Sequence, residues 1–161
     1  MNTVSTVELG FIPAFQGTVN AELSIRYGYP VVVVSKSNVD YWTILSNGGA
    51  VAAIGNKCTI ESKHICVCEE LLSLWKDELE VILLHEKGHL VLDHHVEMVN
   101  ASKERRVEME IEADRYAVTN HSSGSITGAA YLLRVLYTHD NDFFNAVSDR
   151  ASQLVSYRYG L

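Results

Sequence analysis

Residues 81–92 read VILLHEKGHLVL, an apolar segment interrupted by His85, Glu86 and His89. On a helix the two histidines lie one turn apart on the same face, so their ring nitrogens can converge on one cation. Two imidazoles and a carboxylate are costly inside an apolar helix unless they bond to something. The segment therefore predicts a buried helix that supplies two zinc ligands, with Glu86 as the base that takes a proton from a zinc-bound water.

Length and composition restrict the class of protein. The 161 residues suffice for one domain with its own core, and 47% hydrophobic with 20% charged residues is typical of a soluble globular protein. A net charge of -7 argues against nucleic-acid and anionic-membrane partners, since both need a basic face. Residues 1–10 lack the features of a secretory signal, and no apolar run reaches the length of a membrane span.

The cysteines indicate a reducing compartment. Cys58, Cys66 and Cys68 are an odd and sparse set, which does not suit a disulfide framework. Cys66 and Cys68 share one face of an expected strand, where buried free thiols are common. A thiolate metal site is disfavoured because structural zinc sites have wider spacing and a second cysteine pair. We therefore expect a cytoplasmic protein.

The N-terminal half has the pattern of a small sheet. Residues 11–15 are expected to form a loop or short strand, and Thr18 is expected to cap a short helix that ends at Gly28. The β-branched run 31–34 predicts a strand. Residues 41–45 and 50–54 flank Asn47-Gly48-Gly49, which predicts a β-hairpin, and a further strand is expected over 64–68.

The C-terminal half has helical periodicity. Helices are expected over 78–94, 103–119, 126–137 and 142–157, and Asp77 with Glu80 suggests a capping pair for the first of them. Strands followed by helices indicate the α+β class. We expect one domain over 1–161, with a mostly antiparallel N-terminal sheet, a helix that carries the histidines, a second acidic helix and further helices at the C-terminus.

The second long helix adds a motif that points to a family. It carries Glu110-Ile111-Glu112-Ala113-Asp114, and His-Glu-x-x-His followed by Glu-x-x-Ala-Asp resembles the gluzincin class of zinc metallopeptidases. Minigluzincins and ImmA/IrrE-type peptidases are the most similar in appearance, and the motifs fall within residues 64–118. The resemblance implies a zincin-like fold, a bound Zn2+ and hydrolysis of a protein or peptide substrate.

The resemblance also assigns roles to residues. It implies that His85, His89 and Glu110 bind the metal and that Glu86 is the general base. Asp114, one turn after Glu110, would accept a hydrogen bond from a ligand imidazole. The strand 64–68 would be a sheet edge to which an extended peptide adds. Enzymes of this class also need a donor for the oxyanion, for which the candidates are His121, Tyr116, Tyr131 and Tyr157.

Two other residues compete for the position of third ligand. Glu112 shares a helix face with Glu108, and the sequence alone does not decide whether that face or the face of Glu110 points inward. His95 has the metzincin spacing from His85 and His89, but Leu92 occupies the position that needs glycine for a sharp turn. Glu110 is therefore the preferred third ligand.

Three functions are compatible with these patterns in different degrees. A zinc metallopeptidase is favoured, and the alternative is a zinc-bearing regulatory or binding module with weak or no proteolysis. A purely structural helical domain with surface histidines is disfavoured by the apolar flanks of the motif. The sequence fixes neither the identity of the substrate nor the oligomeric state.

Overall fold

The structure is a computed structural model that describes residues 18–38, 41–46, 48–53, 63–138 and 147–158, without the side chains of residues 157 and 158. The described residues form seven α-helices and a four-stranded sheet. Two compact units divide the chain at residues 73 and 74. The sheet belongs to the first unit, and the long helices belong to the second, so the expected α+β class is confirmed.

The first unit contains a mixed sheet and two short helices. The sheet has the order β1-β2-β4-β3, with β2 and β4 parallel and the other two pairs antiparallel, which agrees with the expected mostly antiparallel sheet. Its elements in chain order are β1 (Thr18–Val19), α1 (Ala21–Tyr27), β2 (Val31–Val34), α2 (Tyr41–Ser46), β3 (Ala50–Ala53) and β4 (His64–Cys68), followed by a 3-10 turn over Glu69–Ser73.

Strand β4 lies inside the sheet, so the expectation that it forms a sheet edge was wrong. Its backbone pairs with β2 on one side and with β3 on the other, and all five of its residues are buried. A near-continuous apolar run is typical of such a two-sided strand. Because both sides of β4 are already hydrogen-bonded, a substrate peptide cannot add to it.

The expected hairpin around Gly48 and Gly49 was also wrong, because residues 41–46 form helix α2. Helical spacing buries Tyr41 and Ile44 together, and the Tyr41 hydroxyl donates a hydrogen bond to the carboxylate of Glu70. This packing overrides the strand propensity of the aromatic and β-branched side chains. The strand that follows, β3, is as expected but pairs with β4, while Asn47 lies outside the described residues.

Helix α1 begins later than expected. Thr18 belongs to β1, and the N-cap is Asn20, whose Oδ1 accepts a hydrogen bond of 3.0 Å from the Leu23 amide. Gly28 ends the helix in the left-handed conformation, with φ 78°, as expected. The expectations for residues 11–15 and for Cys58 lie outside the described residues.

The described part of the second unit contains five helices. They are α3 (Lys76–Val91), α4 (His94–Met98), α5 (Lys103–Asn120), α6 (Ser125–Thr138) and α7 (Val147–Arg158). Ser102 caps α5 by accepting a hydrogen bond of 3.1 Å from the Arg105 amide. The expected start of α7 at residue 142 lies outside the described residues.

The ends of α3 differ from the sequence expectation. Its N-cap is Trp75, without a side-chain cap, so Asp77 is not the capping residue but lies in the first turn, where its charge favours the helix dipole. The helix stops at Val91 instead of continuing to His94. Asp93 then adopts the left-handed conformation, with φ 55°, and reverses the chain into α4.

Helices α3 and α5 approach each other closely at Gly88. A Cβ atom at Gly88 would lie 3.1 Å from Tyr116 Cβ and 3.2 Å from Ala113 Cα. The buried side chains of Leu84, Leu90 and Met109 lie on the same two helices. The absence of a side chain at Gly88 therefore brings the histidines of α3 close to the acids of α5. In the described part of the chain, no helix is both long and apolar enough to cross a membrane.

Candidate metal centre

Three side chains from α3 and α5 converge on one point. His89 Nε2 lies 3.1 Å from His85 Nε2 and 3.0 Å from Glu110 Oε2, while His85 Nε2 lies 3.4 Å from Glu110 Oε1. All three are largely buried, with 9%, 13% and 20% of the side chains of His85, His89 and Glu110 exposed. The structure thus brings together the three residues that the sequence motifs predict as ligands.

This donor set fits a zinc ion. Two atoms that each lie about 2.0 to 2.2 Å from a tetrahedral zinc are about 3.3 to 3.6 Å apart, close to the separations found here. Two imidazole nitrogens and a carboxylate oxygen are ligand types that zinc accepts, and three protein ligands leave a fourth position for water. His85, His89 and Glu110 could therefore hold a divalent metal.

Asp114 forms a hydrogen bond with the His85 ring, and Arg150 in turn binds Asp114. His85 Nδ1 lies 2.9 Å from Asp114 Oδ1, so the imidazole donates this hydrogen bond and presents Nε2 to the ligand cluster. Arg150 of α7 donates two hydrogen bonds of 2.7 Å to the same carboxylate. Arg150 Nη1 also lies 3.5 Å from Glu110 Oε1. A buried arginine therefore connects α7 to Asp114 and Glu110 of α5.

The cluster has an electrostatic preference for a cation. Burial opposes a charged imidazole, but the carboxylates of Asp114 and Glu110 outweigh it and raise the pKa of His85 to about 10. Burial likewise disfavours the charged form of Glu110, yet its hydrogen bonds to His85 and His89 hold its pKa well below the usual range. The two carboxylates therefore favour a positive charge at the position of His85.

His89 is held by a second chain of hydrogen bonds. Its Nδ1 lies 2.9 Å from His94 Nδ1, and His94 Nε2 lies 2.8 Å from Glu112 Oε1. Arg105 in turn donates hydrogen bonds to Glu112 and to Glu97, at 2.7 Å and 2.9 Å. Burial lowers the pKa of His94, which favours its neutral form.

The two alternative third ligands lie elsewhere. Glu112 turns toward His94 and Arg105 instead of joining the cluster. Of the described residues that could bind a metal, His95 joins neither of the two groups that the structure forms, and its Nδ1 is buried without a hydrogen-bond partner.

The left-handed turn needed after α3 falls on Asp93 and leaves Leu92 with φ -88°. Because aspartate tolerates the left-handed conformation better than a branched apolar residue does, the chain turns here without a glycine.

The four oxyanion candidates have different surroundings. His121 is buried beside the start of α3, where its Nε2 donates to the Asp77 carbonyl at 3.0 Å and its Nδ1 accepts from the Ser123 amide at 3.1 Å. Tyr116 packs against Gly88, and Tyr131 is half-buried on α6. Tyr157 lies on α7, and its side chain is outside the described part.

A second group of possible ligands surrounds His121. Asp77, Glu80 and His121 lie close enough to hold an ion. However, Glu80 accepts hydrogen bonds of 2.6 Å from both the amide and the hydroxyl of Ser122, and Ser123 donates to Asp77. These polar atoms therefore already have protein partners, and the group joins the start of α3 to the loop after α5.

Two functional contacts were missed by sequence reasoning. Arg150 was not recognised because it lies 36 residues after Asp114, and no local pattern links an arginine on one helix to an acid on another. His94 is the last residue of the helix expected over 78–94, and the sequence patterns assign it no role at the metal. Its spacing of five residues from His89 was the available signal, but it becomes a contact only through the turn at Asp93.

Two packed helices of an α+β protein bring together a histidine pair and a glutamate, the donor set that is expected of a metallopeptidase. In agreement with this class, the sequence model of peptidase family M48 matches residues 53–152, more than half of the chain. The chain therefore belongs to peptidase family M48, a family of zinc metallopeptidases. No curated protein and no solved structure matches the chain.

Proposed function

We propose that this protein is a zinc-dependent peptidase that hydrolyses peptide bonds of a protein or peptide substrate, with Glu86 as the general base. The observation that supports this most is the convergence of His85 Nε2, His89 Nε2 and the Glu110 carboxylate within 3.4 Å of one another. Three such donors on two packed helices suit a catalytic zinc better than a closed structural site, which has four protein ligands.

The proposal assigns metal binding and proton transfer to different residues. His85, His89 and Glu110 would hold the ion, which when bound supplies a Lewis acid that lowers the pKa of water. Glu86 follows His85 on the same helix, and its charge acts on both His85 and Arg150. Its carboxylate would accept a proton from the attacking water and deliver it to the leaving nitrogen of the peptide.

Asp114 and Arg150 would maintain the geometry of the site. The hydrogen bond from His85 Nδ1 to Asp114 fixes the tautomer that leaves Nε2 free to bind metal. Arg150 neutralises the buried Asp114 and lies beside Glu110. His121 is already engaged at Asp77, two turns of α3 before His85, so Tyr116, Tyr131 and Tyr157 remain the candidates for a donor to the oxyanion.

Narrower assignments are part of the same proposal. The histidine pair at 94 and 95 supports an ImmA/IrrE-like or minigluzincin-like subtype, and the sparse, buried residues Cys66 and Cys68 support a cytoplasmic location. The family match runs across the border between the two compact units at residues 73 and 74. This supports one metallopeptidase domain over 1–161.

The test separates chemistry from metal binding. Glu86→Gln should retain stoichiometric zinc and lose at least about 100-fold of the peptide-cleavage rate, because it removes a general base and no ligand. Glu108→Gln, an exposed glutamate of α5, is the matched control and should cleave at the wild-type rate. Cleavage of a peptide library is followed by mass spectrometry, and zinc content by elemental analysis.

Two results would contradict the proposal. Full activity in Glu86→Gln would remove this residue from the chemistry. A zinc-loaded wild type that cleaves no peptide would favour the alternative, a zinc-bearing regulatory or binding module.

A further inference from the structure

We infer that His94 and Glu112 form a relay that positions the metal ligand His89, and that His94 acts through its Nδ1 atom. This inference rests on the proposed zinc site and adds two positioning residues to it. His94 is 1% exposed, and each of its ring nitrogens has a hydrogen-bond partner on another helix. Its Nδ1 lies 2.9 Å from His89 of α3, and its Nε2 lies 2.8 Å from Glu112 of α5.

The Glu112 carboxylate, at the end of the relay, determines which atom donates in each hydrogen bond of the relay. The Glu112 carboxylate can only accept, so His94 Nε2 carries the hydrogen and donates it. In neutral His94 the other nitrogen, Nδ1, then has a lone pair and accepts from His89 Nδ1. His89 therefore keeps its hydrogen on Nδ1, which leaves Nε2, the ring atom beside His85 and Glu110, as the atom that would bind a metal.

The relay gives the two ligand histidines different supports. His85 is held directly by a carboxylate, Asp114, which is the usual arrangement for a metal-binding imidazole. His89 reaches its carboxylate only through a second imidazole. Glu112 thus has a role different from that of Glu110, although both acids lie on α5. Glu110 belongs to the ligand cluster, whereas Glu112 supports His89 through His94.

The rest of the fold fixes both ends of this relay. Asp93, with φ 55°, reverses the chain after α3 and brings His94 back toward His89. At the other end, Arg105 holds Glu112 by a hydrogen bond of 2.7 Å and is itself held by Glu97 at 2.9 Å. The relay therefore connects a ligand on α3 to an ion-pair network between α4 and α5.

Two substitutions at His94 separate positioning from packing. The amide of Asn reaches about the position of Nδ1 in histidine, whereas the amide of Gln reaches about the position of Nε2. His94→Asn should keep an acceptor for His89 and bind zinc within a few-fold of the wild type. His94→Gln should lose that acceptor and bind zinc about 10-fold to 100-fold more weakly. If His94 only filled space, the larger Gln would be the better replacement.

Glu112 supplies an independent variant at a partly exposed site. Glu112→Ala removes the acceptor at the end of the relay and should weaken zinc binding by about 10-fold. Glu108→Ala removes the same charge one turn earlier on α5 and should leave zinc affinity unchanged. Because Glu112 has 35% of its side chain exposed, its replacement is compatible with folding even if a variant of buried His94 is not.

The measurement is the zinc dissociation constant, obtained by competition with a chromogenic chelator, alongside circular dichroism of each metal-free variant. The inference predicts that wild type, His94→Asn and Glu108→Ala bind tightly and that His94→Gln and Glu112→Ala bind weakly. Equal affinities in all five proteins, or tighter binding by His94→Gln than by His94→Asn, would overturn the relay alone. A wild type that binds no zinc would overturn the proposed function as well.

Discussion

At the scale of a single residue, Arg150 links two helices, α7 and α5. Its guanidinium donates two hydrogen bonds of 2.7 Å to Asp114 and lies 3.5 Å from Glu110, while only 6% of its side chain is exposed. A bidentate arginine pair of this kind compensates the cost of burying a carboxylate, because each oxygen accepts from a separate nitrogen. Loss of the arginine would leave Asp114 charged and buried.

We therefore expect Arg150→Ala to lower the free energy of unfolding of the metal-free protein by about 3 to 5 kcal/mol. Arg150→Lys should recover little of the lost free energy of unfolding, because one ammonium group cannot replace the planar guanidinium that binds both oxygens of Asp114. Urea unfolding followed by circular dichroism measures the effect. The control is Arg26→Ala, whose exposed ion pair with Glu22 at 3.7 Å should be worth less than about 1 kcal/mol. Equal losses in both alanine variants would show that Arg150 is not structurally important.

Cys68 gives a prediction that depends on pH. Burial and the charge of Glu70 raise the pKa of the Cys68 thiol to about 11 from its ordinary value of 9.0. At pH 8 alkylation of Cys68 by iodoacetamide should therefore be at least about 100-fold slower in the folded protein than in urea. Peptide mapping by mass spectrometry measures this rate. Labelling of Cys68 as fast in native buffer as in urea would contradict a buried, protonated thiol.

The same shift has a consequence for stability. The folded state holds the Cys68 thiol proton more tightly than the unfolded state does. The resulting contribution to the free energy of unfolding is complete below pH 9.0 and is lost as pH rises to about 11. Cys68→Ala should lack this part of the pH dependence.

Individual residues of the site were predictable to different extents. His85 and His89 follow from helical periodicity, because four residues bring two side chains to one face. Glu110 and Asp114 followed from a motif, since periodicity alone could not decide which face of α5 points inward. Arg150 could not be found, because its partner lies on another helix and depends on tertiary packing.

Gly88 determines how closely two elements pack. An added Cβ would meet the Ala113 backbone at 3.2 Å and 3.3 Å, and a backbone cannot rotate out of the way as a side chain can. Gly88→Ala gains about 1 kcal/mol of helix propensity but forces α3 and α5 apart. We expect a net loss of about 1 to 3 kcal/mol in the free energy of unfolding, together with weaker zinc binding.

Thermal unfolding and chelator competition test this substitution. The matched control is Thr119→Ala, at an exposed position of α5, which should be neutral or slightly stabilising because it gains propensity without a clash. A Gly88→Ala protein that is more stable than the wild type and binds zinc as tightly would contradict the close approach of these helices.

The elements show where sequence patterns succeed and where packing overrides them. Helix α5 matches its expected bounds within a residue, because Ser102 provides a clear N-cap. Residues 41–46 have strand propensity but form α2, because burying Tyr41 and Ile44 on one side requires helical spacing. The position of β4 inside the sheet was not predictable, since pairing partners distant in sequence leave no local signal.

At the scale of the whole molecule, the described ligand cluster and its supports all belong to the second unit, residues 74–161. The α+β class and the order of the main elements were predictable from the change of periodicity along the chain. The family match to residues 53–152 places the chain in peptidase family M48. All functional proposals depend on one proposed property of the molecule, which is that His85, His89 and Glu110 bind a zinc ion.

Metal content after dialysis is the most direct test of that property. Elemental analysis of the wild type beside His89→Ala, Glu110→Ala and His95→Ala should find one zinc per chain in the wild type and in His95→Ala. It should find little or none in the other two variants, because each lacks a ligand. A wild type without stoichiometric zinc, or a Glu110→Ala protein that keeps its zinc while His95→Ala loses it, would contradict the site described here.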